Sequence, residues 1–227
     1  MKDIRLCLVE TEKRIRNLKL SYNKVLDTKG SLEGLNIEVK NILENLKSPL
    51  DYLAVYLHDK YVNCGKSHNI YFPLLKKSEE FENVFKGNLH NIENHLCGIK
   101  AKIESIQPYK SDWMLNFHSL VNEYKHIRLI PQIEKTLRVV VKNNANNGEA
   151  SWDPNYVKFR SVVYVMGAPI NPGTQMPVSS PNIKVEVWKD FIFEEKNMSV
   201  LKSLQLFYRE IAKFINEIML LENTVKH

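Results

Sequence analysis

The chain has 227 residues, a length that supplies one full-sized hydrophobic core and excludes a disulfide miniprotein. Hydrophobic residues at 44% and charged residues at 26% are the mixture of an ordinary globular protein and exclude a disordered one. Lys and Arg number 32 against 26 Asp and Glu, which raises the question of nucleic acid; but residues 48–195 are close to neutral, and the surplus lies toward the two ends.

Apolar residues at Ile4, Leu8, Ile15, Leu18, Tyr22 and Val25, with Thr11 in the remaining slot, step alternately by four and three. This is a heptad seam, and it predicts a helix of about 25 residues that stops near Gly30. Ser31 caps a second helix carrying Leu35, Val39, Ile42 and Leu46. Ser48 followed by Pro49 reads as a fresh helix start, a hydroxyl cap and then proline at the first helical position, with Leu50, Leu53, Ala54, Leu57 and Tyr61 on one face. Residues 63–75, punctuated by Asn63, Gly65, Asn69 and Pro73, read as a loop. Helix resumes near Ser78 with Phe81 and Phe85, and again from Asn91 to Gln107 until Pro108 ends it. Ser111 or Asp112 then caps a helix whose stripe is Met114, Phe117, Leu120, Val121 and Tyr124.

At about residue 136 the period changes. Leu137–Val141, Val157–Met166 and Ile183–Phe193 are rich in β-branched and aromatic residues and read as strands. Two long polar loops, Asn143–Asn155 and Ala168–Asn182, separate them. Helix returns near Ser199, with Val200, Leu204, Phe207, Ile211, Phe214, Ile218 and Leu221 on a second heptad seam. The expected fold is therefore α+β and mainly helical, an up-and-down bundle with a small antiparallel β-sheet inserted before a long C-terminal helix. In domain terms the expectation is a bundle over 1–135, a β insertion over 136–195 and a closing helix over 196–227 that packs back on the bundle as one integrated domain.

The chemistry is quieter. There is no Gly-rich phosphate loop, dinucleotide fingerprint, Cys-x-x-Cys, His-Glu-x-x-His or Gly-x-Ser-x-Gly motif. Cys64 and His68, with His90, His95 and Cys97 further on, match no tight metal-ligand spacing, so neither metal nor cofactor is expected. Three widely spaced cysteines, Cys7, Cys64 and Cys97, encode no disulfide framework. No run of 18 apolar residues and no apolar core of signal-peptide length is present, so the expectation is a cytoplasmic protein with no membrane contact. Lys13, Arg14, Arg16 and Lys19 form a basic stripe within the first seam helix, suited to phosphates if it is not simply a solvated face beside Glu10 and Glu12.

One cluster stands out. His118, Asn122 and His126 fall at i, i+4 and i+8 on the helix that begins near Asp112, with Lys125 and Glu123 alongside. A histidine beside an amide and a cation is suited to acid–base work on a phosphodiester; the same ridge is also what a plain solvent-facing helix carries.

The segment Ile106-Gln107-Pro108-Tyr109, and then Asn122-Glu123-Tyr124-Lys125-His126, resembles a pattern in uncharacterised bacterial proteins in which a Gln-Pro-Tyr turn precedes a helix ending in Asn-x-x-Lys-His. That helical part is similar to the HEPN superfamily, helical and typically dimeric domains frequent in bacterial toxin–antitoxin and antiphage systems. Active members are metal-independent ribonucleases with an Arg-x(4–6)-His motif. Laid on His126, the shortest gap puts Val121 where the Arg would stand, and none of the seven arginines has a histidine at the required distance. The resemblance thus implies a non-catalytic HEPN-like protein working by self-association or partner binding through its heptad helices. It also implies an alternative, RNA binding or cleavage at a degenerate site of His126, Asn122 and Lys125.

Overall fold

The structure, a computed structural model, describes residues 1–28, 32, 34–62, 70–126, 128–178 and 180–224, with the side chains of Thr28 and His126 outside the description. The expected stop at Gly30 and cap at Ser31 therefore lie outside the described residues, as do Cys64 and His68. The fold is α+β and mainly helical, with an antiparallel sheet before the C-terminal helix. It divides into two compact units, Met1–Pro131 with Val200–His227, and Gln132–Ser199.

The first unit is helical. Helix α1 (Lys2–Thr28) follows the predicted seam, with Ile4, Thr11, Ile15, Leu18 and Tyr22 all buried. Thr11 is tolerated there because its hydroxyl donates to the Cys7 carbonyl at 2.6 Å, so no polar group is left unsatisfied. Helix α2 (Leu35–Leu57) lies against α1. The Arg14–Glu38 ion pair at 3.1 Å, and a cleft joining residues 1–9 to Tyr56, show that the two helices run antiparallel.

The structure corrects the expected break at Ser48–Pro49, because α2 runs straight through both residues. Ser48 Oγ donates to the Glu44 carbonyl one turn back, at 3.0 Å, instead of capping a new helix. An interior proline costs about 3 kcal/mol. Burial of Leu46, Pro49, Leu50, Leu53 and Leu57 along one continuous face offsets this, at roughly 2 kcal/mol per leucine. Helix α2 then widens into a π-helical turn, His58–Val62.

Helix α3 (Ser78–Leu89) buries Phe81 and Phe85 as the pattern predicts. The expected helix over 91–107 is instead a 3₁₀ turn (Ile92–Asn94) followed by a short helix α4 (Ile99–Ser105). Asn91 and Gly98 both hold positive φ, 59° and 79°, which no right-handed helix can contain. Ile92, Leu96, Ile99 and Ile103 are nevertheless all buried, so the apolar period survived the break. Helix α5 (Asp112–His126) buries its predicted stripe, and Phe117 meets Phe207 of α6 (Val200–Thr224) with ring centroids 5.4 Å apart.

The second unit is β. Strand β1 (Gln132–Asn143) starts four residues before the expected change of period, because Gln132–Thr136 already pair in the ladder opposite Phe193–Lys189. Both long polar loops turn out to contain strands. The first holds β2 (Gly148–Trp152), which folds back on β1 through an Asn-rich turn with Asn147 at φ 53°. The second holds β4 (Ala168–Asn171) and β5 (Met176–Pro177). The expected strand over 157–166 shrinks to β3 (Val163–Val165), joined to β4 by Met166–Gly167, where φ is positive at both residues as a type I′ turn requires. Strand β6 spans Ile183–Phe193 as predicted, and β7 (Met198–Ser199) completes the sheet order β2-β1-β6-β7, beside a separate β3-β4-β5 sheet. Val139, Val141, Trp152, Ala168 and Ile170 form this unit's core, with Phe159 edge-on to Trp152 at 5.4 Å.

Candidate functional site

The α5 ridge begins with a direct contact. Asn122 Nδ2 lies 2.9 Å from His118 Nε2, the i, i+4 spacing closing one hydrogen bond. With the amide donating, Nε2 accepts and the neutral ring carries its proton on Nδ1. Burial, followed by the charges of Lys76 and Lys47, holds the His118 imidazole below its ordinary value. It is therefore a neutral, half-buried base near two cations.

Those cations come from elsewhere in the chain, and local geometry explains their arrival. Lys47 on α2 is bound by Asp51 one turn on, at 2.6 Å and 2.7 Å to the two carboxylate oxygens. Asp51 also accepts the Phe72 N–H at 3.1 Å, which ties the segment over 70–77 to α2. Gln107, fully buried, holds the same segment from the other side. Its amide donates to the Pro73 carbonyl at 2.8 Å and to that of Ile103 at 3.0 Å, while its oxygen accepts the Leu75 N–H at 3.0 Å. Asn88 adds a bond to the Tyr71 carbonyl at 3.1 Å. The segment so pinned carries Lys76, whose charge acts on His118, and leaves Tyr71 59% exposed, with Lys47 Nζ 5.9 Å from its ring centroid. Sequence reasoning missed Lys47, Asp51, Tyr71 and Lys76, and read Gln107 only as part of a turn. The available signal was a glutamine flanked by Ile106 and Pro108 at the end of an apolar face.

Of the residues predicted for the site, Asn122 is half-buried in the ridge and Lys125 is exposed on the same helix. His126 ends α5, with its side chain outside the described residues. Val121, where the catalytic Arg would stand, is only 4% exposed and belongs to the core stripe. On α1 the basic stripe is divided. Arg14 is engaged by Glu10 at 3.2 Å and by Glu38, and Arg16 pairs with Glu12 at 2.5 Å, whereas Lys13 and Lys19 are exposed. Two of its four charges are thus already met by carboxylates, which weakens it as a phosphate-facing patch.

Among the described residues no group of His, Cys, Asp and Glu is placed to hold a metal ion, and no helix is long and apolar enough to cross a membrane. No family model, curated protein or solved structure matches the chain.

Proposed function

We propose that this chain is a HEPN-like helical protein that binds single-stranded RNA along α5 without cutting it. The observation that carries the reading is the His118–Asn122 pair in the field of Lys47 and Lys76, with the exposed Tyr71 beside Lys47. Lys76 supplies the sequence-independent attraction for phosphates, Lys47 being already met by Asp51, an exposed tyrosine gives a base a face to stack on, and an amide with an imidazole reads a base or sugar edge. The Asn-x-x-Lys-His helix supports the HEPN-like assignment, and the toxin–antitoxin or antiphage setting follows from that resemblance.

Binding is favoured over catalysis because Val121 points into the core. An arginine there would have to desolvate its charge or displace the stripe. Association through the heptad seams has less support, since Ile4, Thr11, Ile15, Leu18 and Tyr22 are buried in the unit where α1 already lies against α2 and α6.

Fluorescence anisotropy with a labelled oligouridine tests this. Affinity falls steeply with salt, Lys76→Gln and Tyr71→Ala each weaken binding about tenfold, and Lys76→Gln reduces the salt slope by about one. The RNA remains intact under single-turnover conditions with wild type and with His126→Ala. Absent or salt-independent binding overturns the RNA reading, and cleavage by wild type that His118→Ala or His126→Ala abolishes overturns its non-catalytic half.

A further inference from the structure

A second site lies at the start of α1 and owes nothing to the α5 ridge. The first turns of α1 and the last turns of α6 enclose a cleft of about 490 Å³, within the range of small-molecule sites. Lys2, Arg5, Leu6 and Val9, at i, i+3, i+4 and i+7, form one face of α1 distinct from its buried seam. Leu6 and Val9 are 56% and 65% exposed, and Met219 of α6 adds a third apolar wall.

The floor is polar, with its charge paired. Glu222, only 6% exposed, accepts Lys60 Nζ at 2.6 Å, Tyr61 OH at 2.8 Å and Tyr56 OH at 3.0 Å, and Lys60 donates to Tyr56 OH as well, at 3.0 Å. The π-helical turn over His58–Val62 carries Lys60 and Tyr61 to that carboxylate. With three donors on Oε1 and its charge matched by Lys60, Glu222 offers less to a cationic ligand than a free carboxylate would. Lys2 and Arg5 make no ion pair among the described residues, so the cleft retains an excess of positive charge beside apolar walls.

We infer that this cleft binds a small amphipathic anion, its carboxylate, sulfonate or phosphate head at Lys2 and Arg5 and its hydrocarbon body against Leu6, Val9 and Met219. Charge selects the head and the apolar walls select the tail; neither feature alone would specify the ligand.

The test uses the full chain with anilinonaphthalene sulfonate as the fluorescent probe and dodecanoate, below its micelle concentration, as competitor. The inference expects blue-shifted probe fluorescence that dodecanoate displaces and dodecyltrimethylammonium at equal concentration does not. Arg5→Gln weakens probe binding about tenfold, the scale of one charge-assisted hydrogen bond, and Val9→Glu weakens it at least as much. Both positions are exposed, so both variants keep the wild-type circular dichroism and melting temperature. Binding equal to wild type in both variants, or displacement by the cationic amphiphile as effective as by dodecanoate, overturns the inference.

Discussion

Glu222 stands four residues after Ile218, within the apolar stripe of α6, where the heptad count alone selects Leu221. Burial by itself would lift its pKa, and the donations from Lys60, Tyr61 and Tyr56 outweigh that effect and hold it below the ordinary carboxylate value. Glu222→Ala removes the acceptor that two tyrosine hydroxyls share with Lys60 and leaves Lys60 only the Tyr56 hydroxyl, and the expected loss is about 2 to 3 kcal/mol in denaturant melts. Because the folded pKa is depressed, the charge on Glu222 contributes stability that is complete above the unfolded value of 4.5 and is lost as pH falls through the lower folded value. Glu222→Gln keeps an acceptor and loses the charge, so its stability falls less steeply on acidification below pH 4.5 than that of wild type. A parallel acid limb in the two proteins would show that the carboxylate charge contributes nothing there. His118 has the same sign in a different window. Its depressed value makes the neutral ring part of the folded state, with stability complete above 6.5 and lost as pH falls through the folded value.

At the scale of elements, the break between the 3₁₀ turn and α4 depends on Gly98 at φ 79°. A Cβ built there meets nothing within 4 Å, so Gly98→Ala has no steric partner and its cost is conformational alone. The expected destabilisation is about 1 kcal/mol, measured by chemical denaturation, and a neutral or stabilising result would mean that the left-handed turn is not held in the folded state. This break also shows where a sequence pattern stops being informative. Ile92, Leu96, Ile99 and Ile103 keep helical spacing and are all buried, so the period reports which side faces the core without reporting whether the backbone is continuous. Ser48–Pro49 failed in the opposite direction. Its cap-and-proline signature was a local signal, and the uninterrupted leucine face on both sides of it outweighed that signal. The hairpins of the second unit were hidden because β2, β4 and β5 are short and adjoin turns rich in Asn, Gly and Pro, the same residues that mark irregular loops.

For the whole molecule, the helical and sheet segments and the bounds of β6 were legible, because each rests on a period that runs for many residues. The neighbours of the α5 ridge were not. Lys47 acts on His118 from α2, and Lys76 does so from the segment over 70–77 that Asp51, Asn88 and Gln107 pin, and no spacing along the chain encodes that meeting. The net charge of +6 likewise misdirected attention to α1, where carboxylates already engage Arg14 and Arg16. Lys76, which pairs with no carboxylate among the described residues, and the imidazole it acts on are a better guide to an anionic partner than the sum over the chain. The central claim is that this imidazole stands in an anion-binding field, and its own titration followed by NMR, with and without oligouridine, tests that most directly. The expected result is a His118 pKa below 6.5 in the free protein that rises when RNA screens Lys47 and Lys76, with affinity strengthening as pH falls through that range. A His118 titration that is unchanged at saturating RNA would contradict it.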